Sequence, residues 1–476
     1  MENPLHCALH MKQYASFIFD SYHYSPDLGE IELRYTLDDD LRFVEKFTLP
    51  KEFAPVAHSQ SPVLDRALAA LHLCGGISYY KTCLPKTMEI RTQPLSEDQA
   101  QFWNTVYEEG LGEFFYKNTV DFRGLIQFPQ IPNPKPQIPS PKLEAASRKP
   151  QKILVPIGGG KDSIVTLELL KKAGFDITLL RIGQNPLIDA IAKQAALPIL
   201  NIKRSLSPRL FDLNEQGALN GHVPITATLS FLSIVVAVLY GFDAIAMSNE
   251  RSASLGNIEY LGKEINHQWS KSLTFERLFR AYIAENVTAD VEYFSLLRPF
   301  SELHITKLFT EFPQYLPLTT SCNRNWKITT SPSPLSRNGG GGGGGGSLWC
   351  NHCPKCAFVF AMLAAFLPKE TLARTFGKNL FDDELLLPLY RELLGLEGFK
   401  PFECVGTPEE TQAAFLLAHD RKDLDDTAAM KMFLSDVLPT IKNPKKLVKD
   451  ALTPSTDHCI PQNYLPLIPH TPIPNP

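Results

Sequence analysis

One stretch limits the fold of this chain more than any other, because an apolar strand, a glycine-rich loop and an amphipathic helix follow one another directly. Residues 155–174 read VPIGGGKDSIVTLELLKKAG. Glycines allow backbone N–H groups to approach a ligand closely, and the N-terminus of a helix adds further donors and a field that favours anions. The stretch therefore predicts a phosphate-binding loop after the first strand of an α/β unit.

Two common types of phosphate loop do not fit this stretch. A Walker A loop requires a glycine, four residues and then Gly-Lys-Ser/Thr, but Lys161 is followed by Asp162, and Val155 stands five residues before Gly160. The glycine spacing of the dinucleotide-binding fingerprint is absent as well. The loop instead resembles the pyrophosphate loop of the ATP pyrophosphatases, Ser-Gly-Gly-x-Asp-Ser, with Gly158 in place of the first serine.

That resemblance implies an enzyme that binds ATP with magnesium and cleaves it between the α- and β-phosphates, releasing pyrophosphate. Ser163 can add a hydroxyl donor, and Asp162 can cap the helix or help to hold magnesium. The plain alternative is a glycine-rich turn in which Asp162 is only a helix cap. The ATP-binding residues predicted in this loop are Gly158, Gly159, Gly160, Lys161, Asp162 and Ser163.

The chain beyond this loop alternates between strand-like and helix-like segments. From residue 151, near-continuously apolar strands are separated by amphipathic helices, which is typical of a parallel sheet covered on both faces. The predicted fold is α/β, with a parallel-sheet nucleotide-binding core, an N-terminal α+β domain and a mostly helical C-terminal region. The predicted divisions are 1–125 for the N-terminal domain, 126–150 for a proline-rich linker, 151–321 for the core, 322–356 for a cysteine segment with a run of eight glycines, 357–452 for the helical region and 453–476 for a disordered tail.

Composition narrows the expected partners and location. The net charge is −4 and 21% of the residues are charged, so no basic excess indicates a nucleic-acid partner. The N-terminus lacks the features of a secretion signal. The apolar stretch 225–247 is interrupted by Thr, Ser, Gly and Asp, so we interpret it as a buried helix and a strand rather than a membrane span. We expect a cytoplasmic protein with reduced thiols, and the sequence does not indicate an oligomeric state.

A dense polar block follows the apolar strand DAIAM, at the edge where parallel sheets bind their ligands. It comprises SNERSASLGN at 248–257 and NHQWSKS at 266–272. A solvated loop is the alternative, but this density of polar side chains favours a site. Within the block, Asn249 and Glu250 are predicted to contribute to cofactor binding.

The order of motifs along the chain resembles the UDP-N-acetylmuramoyl-L-alanyl-L-glutamate epimerases of bacterial peptidoglycan synthesis. The motifs are GGGKDS, HVPxT, SNERSASxGN, NHQWSKSxxFE and WCxxCPKC, and the likeness is strongest over residues 150–365. The resemblance implies ATP-dependent inversion of the terminal L-Glu of UDP-MurNAc-L-Ala-L-Glu, with AMP and pyrophosphate as products.

That reaction is chemically consistent with an adenylating loop. The α-hydrogen of a carboxylate is very weakly acidic, because its removal places a second negative charge beside the first. Adenylation removes the carboxylate charge and activates the acyl group. We also consider the hypothesis that the preceding amide oxygen attacks the activated carbonyl and forms an oxazolone, whose α-hydrogen is more acidic still. The oxazolone predicts that free L-Glu is a poor substrate.

Inversion requires a proton acceptor and a proton donor on opposite faces of the α-carbon. His267 and Lys271 are the candidates, since burial and neighbouring groups can bring their pKa values near neutrality. Arg251 is the candidate for holding a substrate carboxylate through two hydrogen bonds. The plain alternatives are a His267 that only forms hydrogen bonds and a Lys271 that neutralises a phosphate.

Four cysteines form a candidate metal site. Cys350, Cys353 and Cys356 are separated by two residues each, and thiolates at this spacing suit a tetrahedral, structural zinc ion. Resemblance to the 7-cyano-7-deazaguanine synthases supports Cys322 as the fourth ligand. Alternatives are His352 as the fourth ligand, an iron–sulfur cluster and a redox-active cysteine pair. The other five cysteines, Cys404 among them, are expected to be ordinary thiols.

Three functions are therefore open from the sequence. The first is the epimerase reaction, with ATP, Mg²⁺, Zn²⁺ and a UDP-linked muropeptide, and without a nucleic-acid or membrane partner. The second keeps the adenylating loop but acts on a deazapurine carboxylate or a tRNA base. The third is a non-catalytic ATP-binding module, which the missing first serine of the loop keeps in consideration.

Overall fold

The computed structural model of the chain describes residues 13–53, 55, 61–132, 152–322, 348–398 and 401–469. Its strands are β1 (Ser16–Ser25), β2 (Glu30–Leu37), β3 (Leu41–Thr48), β4 (Thr87–Ile90), β5 (Lys152–Pro156), β6 (Asp176–Ile182), β7 (Ile199–Ser205), β8 (Ala244–Met247), β9 (Ile258–Tyr260), β10 (Lys263–Ile265) and β11 (Glu292–Ser295). Its α-helices are α1 (Pro62–Gly75), α2 (Ile77–Tyr80), α3 (Glu97–Gly110), α4 (Gly112–Lys117), α5 (Lys161–Lys172), α6 (Pro186–Ala195), α7 (Pro208–Glu215), α8 (Ile225–Tyr240), α9 (Leu273–Asn286), α10 (Glu302–Phe309), α11 (Pro354–Ala364), α12 (Lys369–Phe376), α13 (Leu387–Leu393), α14 (Pro408–Arg421), α15 (Ala428–Met432) and α16 (Pro444–Leu452).

Nine of these strands form one sheet in the order β11-β8-β5-β6-β7-β3-β2-β1-β4, and β9 and β10 form a separate hairpin. Every neighbouring pair of strands in the run from β11 to β7 is parallel. Ile153 and Val155 of β5 belong to one apolar cluster and Leu154 to the other, so both faces of the sheet are covered. The predicted α/β class with a parallel core is confirmed.

The N-terminal strands continue the same sheet. β3 pairs antiparallel with β7, where Phe47 lies opposite Arg204, and the Arg204 guanidinium lies 2.7 Å from the buried Glu45 carboxylate. Phe17 of β1 and Leu180 of β6 share one apolar cluster. The N-terminal region and the core are therefore joined through a common sheet and a common apolar interior.

The first residues of the predicted linker pack on the N-terminal region. Phe128 is buried, and its N–H donates to the Asn104 side-chain oxygen at 2.7 Å. The Ile131 N–H donates to the Leu95 carbonyl at 2.9 Å. The rest of the predicted linker and the eight-glycine run lie outside the described residues.

The C-terminal segment differs from the expected disordered tail. Within 453–469, Tyr464 is fully buried, and its ring centroid lies 4.3 Å from that of Phe294 and 5.3 Å from that of Phe175. The prediction of disorder is wrong for this part of the tail, because an aromatic anchor docks the proline-rich segment on the core. Residues 470–476 lie outside the described residues.

Helix α8 and strand β8 account for the long apolar stretch in the sequence. Nearly all residues of α8 are buried, and the helix ends at Gly241, whose φ of 68° is a conformation that glycine adopts readily. The interpretation as a buried helix followed by a strand is confirmed. Among the described residues, no helix combines the length and the apolar character that crossing a bilayer requires.

Candidate active site

Three loops meet at the carboxyl edge of the parallel strands. The loop after β5 leads into α5 at Lys161, the loop after β8 carries Asn249 and Glu250, and the loop after β11 leads into α10 at Glu302. Because β11, β8 and β5 are neighbours in the sheet, ligand oxygens of Asp162, Glu250 and Glu302 come within 4.8 Å of one another. Charged groups therefore gather at the edge that the sequence predicted.

The structure of the glycine loop explains why two of its three glycine positions do not readily accept a side chain. Gly159 has a φ of +78°, which is strained for any other residue, and a side chain at Gly160 would lie 3.1 Å from Ser321 Oγ. A Cβ atom at Gly158 would meet no atom within 4 Å. Ser163 Oγ donates to the Gly160 carbonyl at 3.0 Å. The position of the missing serine thus has room for a hydroxyl group.

A network of opposite charges surrounds the start of α5. Lys161 is buried and forms ion pairs with Asp162 and Glu302, and Lys355 Nζ lies 3.5 Å from Glu302. Burial opposes charge on Lys161, but the two carboxylates raise its pKa above the ordinary value. Burial and the nearby Glu302 charge raise the pKa of Glu250. Oxygen ligands of this kind are what Mg²⁺ prefers, so the three carboxylates could hold a magnesium ion.

Arg298 is a buried residue that positions two parts of the site. Its guanidinium donates to the Glu250 carbonyl at 2.5 Å and to the Lys271 carbonyl at 2.6 Å. It also pairs with the buried Glu276 carboxylate at 3.0 Å. Arg298 therefore fixes the loop after β8 against the loop that carries Lys271.

Two residues predicted for the site make contacts away from its charged centre. The Asn249 side chain donates to Ser295 Oγ at 3.1 Å, which ties the end of β8 to the end of β11. Arg251 donates to the Thr453 carbonyl at 3.2 Å and lines a cavity of about 630 Å³ that Arg298 also lines. In the described part of the chain, neither side chain forms a hydrogen bond or an ion pair with His267 or Lys271.

His267 and Lys271 both lie within 4 Å of a cysteine thiol. Lys271 Nζ is 3.4 Å from Cys404 Sγ, and His267 Nε2 is 3.9 Å from the same sulfur. The other ring nitrogen of His267 bonds to Glu113 of α4, and His222 Nδ1 lies 3.4 Å from Glu113. The expectation that Cys404 is an ordinary thiol is wrong, because two cationic side chains surround it.

These contacts set the charges of the cluster. Burial opposes ionisation of Cys404, but Lys271 and His267 lower its pKa to about 6. Burial also opposes protonation of His267, yet Cys404 and Glu113 raise its pKa to about 9. The Cys404 charge raises the pKa of Lys271 above its ordinary value. These shifts favour a Cys404 thiolate beside two protonated side chains at neutral pH.

Other polar residues of the block hold the loops in place. Asn257 accepts a hydrogen bond from the His267 N–H at 2.9 Å and donates to the Pro401 carbonyl at 2.9 Å. Gln268 differs, since it is buried and, within the described part of the chain, neither polar atom of its side-chain amide has a hydrogen-bond partner. A buried amide without partners is costly, which favours a polar ligand near Gln268.

The four predicted cysteines come together at one point. Ligand sulfurs of Cys322, Cys350, Cys353 and Cys356 all lie within 4.8 Å of one another, with Cys350–Cys356 and Cys353–Cys356 Sγ distances of 3.7 and 3.4 Å. A tetrahedral zinc ion with Zn–S bonds of about 2.3 Å would place sulfurs roughly 3.8 Å apart. His352 is exposed and lies outside this group. The donor set therefore fits zinc with Cys322 as the fourth ligand.

Five residues of the site were not predicted from the sequence to belong to it, namely Cys404, Glu113, Arg298, Glu302 and Lys355. Cys404 and Glu113 lie 137 and 154 residues from His267, their partner, and such distant contacts leave no local pattern. Arg298 stands in an irregular loop. Glu302 had a weak local signal, since it follows Ser301, whose side chain accepts from the His304 N–H as a helix cap.

Known protein families match most of the chain. The MurL N-terminal domain matches residues 8–296, and the MurL C-terminal domain matches residues 318–447. A UDP-N-acetyl-alpha-D-muramoyl-L-alanyl-L-glutamate epimerase of Xanthomonas oryzae pv. oryzae is 37% identical over 94% of this chain and 96% of its own length. A protein of the same name from a Micromonospora species is 38% identical over 95% of this chain and 98% of its own length. A 7-cyano-7-deazaguanine synthase 2 of Sulfurisphaera tokodaii is 25% identical over 46% of this chain and 52% of its own length.

Proposed function

The chain belongs to the MurL family, and we propose that it epimerises the terminal L-Glu of UDP-MurNAc-L-Ala-L-Glu to D-Glu at the expense of ATP. The observation that carries the proposal is the contact between a candidate phosphate site and a proton-transfer cluster. Lys355 joins the two, because its ammonium lies 3.5 Å from Glu302 and donates to the Cys404 carbonyl. An activated acyl group and its α-carbon could therefore lie in one site.

In the proposed reaction, ATP phosphates bind at the glycine loop and the N-terminus of α5. Backbone N–H groups of such a loop bind phosphate oxygens, and the helix field favours their charge. Asp162, Glu250 and Glu302 are the residues that would hold magnesium, which neutralises charge on the departing pyrophosphate. Lys161, already paired with two of these carboxylates, limits their mutual repulsion.

The first chemical step of the proposal activates the substrate. An oxygen of the Glu α-carboxylate attacks the α-phosphorus of ATP, and pyrophosphate departs with the electrons of the broken P–O bond. The resulting acyl adenylate no longer carries the carboxylate charge that opposes removal of the α-proton. Closure to an oxazolone by the preceding amide oxygen, with loss of AMP, would acidify that proton further.

The second step of the proposal exchanges the α-proton. His267 and Lys271 lie at the site as groups able to hold protons, with Glu113 orienting the His267 ring. Return of a proton to the opposite face inverts the α-carbon. Water then hydrolyses the activated acyl group, and AMP and the D-Glu muropeptide leave. The proposal includes a cytoplasmic location, where ATP is available.

The proposal also assigns a structural zinc ion to the four-cysteine site. A zinc ion held by four thiolates has no open position for a substrate. It would fix the N-terminus of α11, which carries Lys355 between Cys353 and Cys356. The site thus supports the geometry of the reaction from a distance and takes no part in it.

The test is to incubate purified, metal-replete protein with ATP, Mg²⁺ and UDP-MurNAc-L-Ala-L-Glu. We expect D-Glu after acid hydrolysis, together with AMP and pyrophosphate. The variant Asp162→Asn should lose pyrophosphate release, whereas Asp176→Asn, an exposed residue at the start of β6, should not. Pyrophosphate without D-Glu would indicate another acceptor, such as a deazapurine carboxylate. Absence of both products would favour an ATP-binding module.

A further inference from the structure

Cys404 occupies the centre of the proton-transfer cluster, although it lies in the C-terminal half of the chain. Its sulfur is the atom that contacts both Lys271, at 3.4 Å, and His267, at 3.9 Å. Its backbone carbonyl is held by Lys355, so the thiol is fixed at the point where the carboxylate cluster and the polar block meet. The side chain is half-buried, which leaves it open to a ligand in the site.

We infer that Cys404 accepts the α-proton of the activated L-Glu residue, an assignment that rests on the proposed epimerase function. His267 and Lys271 then act as proton donors and charge partners of the thiolate. The geometry that carries the inference is a sulfur flanked by two nitrogen cations, with Glu113 bonded to the far nitrogen of His267.

The charges in the cluster agree with this geometry. Both residues that the sequence offered as acceptor and donor are held in their protonated forms, since Cys404 and Glu113 raise the pKa of His267 to about 9 and Cys404 raises that of Lys271. A protonated group cannot accept the α-proton. The thiol, with its pKa lowered to about 6 against the effect of burial, can accept it at neutral pH.

Other cysteines of the chain lie in different surroundings. Burial raises the pKa values of Cys74, Cys83 and Cys459. Cys74 is fully buried among apolar side chains, and its sulfur lies 3.7 Å from the Thr228 hydroxyl. The lowered pKa of Cys404 is therefore due to its neighbours in the site and is not shared by these three cysteines. They can serve as control positions for substitutions of Cys404.

The step balances without an oxidant or a reductant. The thiolate takes the α-hydrogen as a proton, and the electron pair of the broken C–H bond passes into the activated acyl group as an enolate. A proton from His267 or Lys271 then forms the new C–H bond on the opposite face. A carbon does not fit between atoms that are 3.4 or 3.9 Å apart, so the sulfur has to separate from one cation when the substrate binds, and the α-carbon then lies between them. After product release, the Cys404 sulfur again contacts the nitrogen that gave up its proton, at 3.4 Å for Lys271 or 3.9 Å for His267. The proton on the thiol then passes to that nitrogen.

The experiment uses the full-length protein in D₂O with ATP, Mg²⁺ and UDP-MurNAc-L-Ala-L-Glu. Single-turnover pyrophosphate release, D-Glu formation and α-deuterium in both Glu epimers are measured for the parent, Cys404→Ala, Cys404→Ser and the control Cys83→Ala. We expect both Cys404 variants to release pyrophosphate near the parent rate. Their D-Glu formation and α-deuterium should fall about 10²–10⁴-fold, the usual contribution of a general base. Cys83→Ala should match the parent.

Three results with folded variants would overturn the assignment. D-Glu formation near the parent rate would show that another group accepts the proton. Deuterated L-Glu without D-Glu would make Cys404 the donor. Loss of pyrophosphate release would assign Cys404 to the adenylation step. If the parent itself releases no pyrophosphate or forms no D-Glu, the proposed function fails instead, independently of Cys404.

A measurement on the unaltered protein covers the case in which both variants unfold. Alkylation of Cys404 by iodoacetamide, followed by peptide mass spectrometry, reports the fraction of thiolate at each pH. We expect the rate to reach half its maximum near pH 6, because Lys271, His267 and Lys355 all face the thiol. A midpoint at or above about 8.5, the value of a free cysteine, would contradict the role.

Discussion

The thiol of Cys404 is half-buried, and burial alone would keep it neutral. Two cations within 4 Å reverse that preference, since an ammonium and an imidazolium stabilise the thiolate more than burial opposes it. The reciprocal effect keeps His267 and Lys271 protonated. Residue by residue, the site therefore has one group ready to accept a proton and two ready to donate.

We expect a bell-shaped pH profile for epimerisation. Activity should rise as pH increases through about 6, because the lowered pKa of Cys404 gives the thiolate above that pH. With His267 as the donor it should fall above about 9, where His267 loses its proton; with Lys271 as the donor the fall should come at higher pH, because Cys404 raises the pKa of Lys271. Since Lys271, His267, Lys355 and Glu113 interact with one another around the thiol, the two apparent values belong to the cluster. The readout is kcat/KM for D-Glu formation, which reports the groups of the free enzyme; a flat profile between pH 5 and 10 would contradict the assignment.

The glycine loop gives a second prediction at the scale of single residues. Gly158→Ser should retain activity and lower the KM for ATP, because a Cβ atom at 158 meets no atom within 4 Å and the serine adds a hydroxyl donor. Gly159→Ser should lose most ATP-dependent activity, because its φ of +78° strains any residue with a Cβ by about 1 kcal/mol or more. Steady-state kinetics on both variants checks this pair. An equal loss of activity in the two variants would contradict the open space around position 158.

Structural elements that a short, continuous stretch of sequence encodes could be predicted. The strand β5, the glycine loop and α5 are adjacent in sequence, so hydrophobic pattern and glycine positions suffice to predict them. The cysteine triplet at the start of α11 is equally local. Cys404 lies in an irregular segment between α13 and α14, where no periodicity marks a residue, and its partners are more than 130 positions away.

The C-terminal tail is a second segment whose packing its own sequence does not predict. Many prolines and few periodic apolar residues predict disorder over 453–476, yet Tyr464 docks between Phe294 and Phe175. Whether one aromatic residue finds a matching pocket depends on distant elements. Composition of the segment alone does not contain that information.

The four-cysteine site predicts a structural effect of metal removal. Cys350→Ser should lose stoichiometric zinc and lower Tm by ~5–10 °C, the shift expected from a loss of about 2–3 kcal/mol in a large domain, because metal binding contributes to folding free energy. His352→Ala should retain zinc and Tm, since His352 is exposed and outside the group. Metal analysis and thermal unfolding provide the readouts. If His352→Ala loses zinc and Cys350→Ser retains it, the zinc ligand is His352 and not Cys350.

Considered as a whole molecule, the chain assembles its site from three regions. The N-terminal region contributes Glu113, the parallel core contributes the glycine loop with His267 and Lys271, and the C-terminal helical region contributes Lys355 and Cys404. The continuous sheet explains how the N-terminal region reaches the core, since β3 pairs with β7. The sequence motifs predicted the residues of the parallel core. They did not predict Glu113 of the N-terminal region or Lys355 and Cys404 of the C-terminal region.

The central claim is that adenylation precedes and permits removal of the α-proton. The direct measurement follows α-deuterium incorporation into UDP-MurNAc-L-Ala-L-Glu in D₂O with the unaltered protein, with ATP, without nucleotide, and with α,β-methylene-ATP, which cannot release pyrophosphate. We expect deuterium and D-Glu only with ATP. Deuterium incorporation without nucleotide or with the methylene analogue would contradict it.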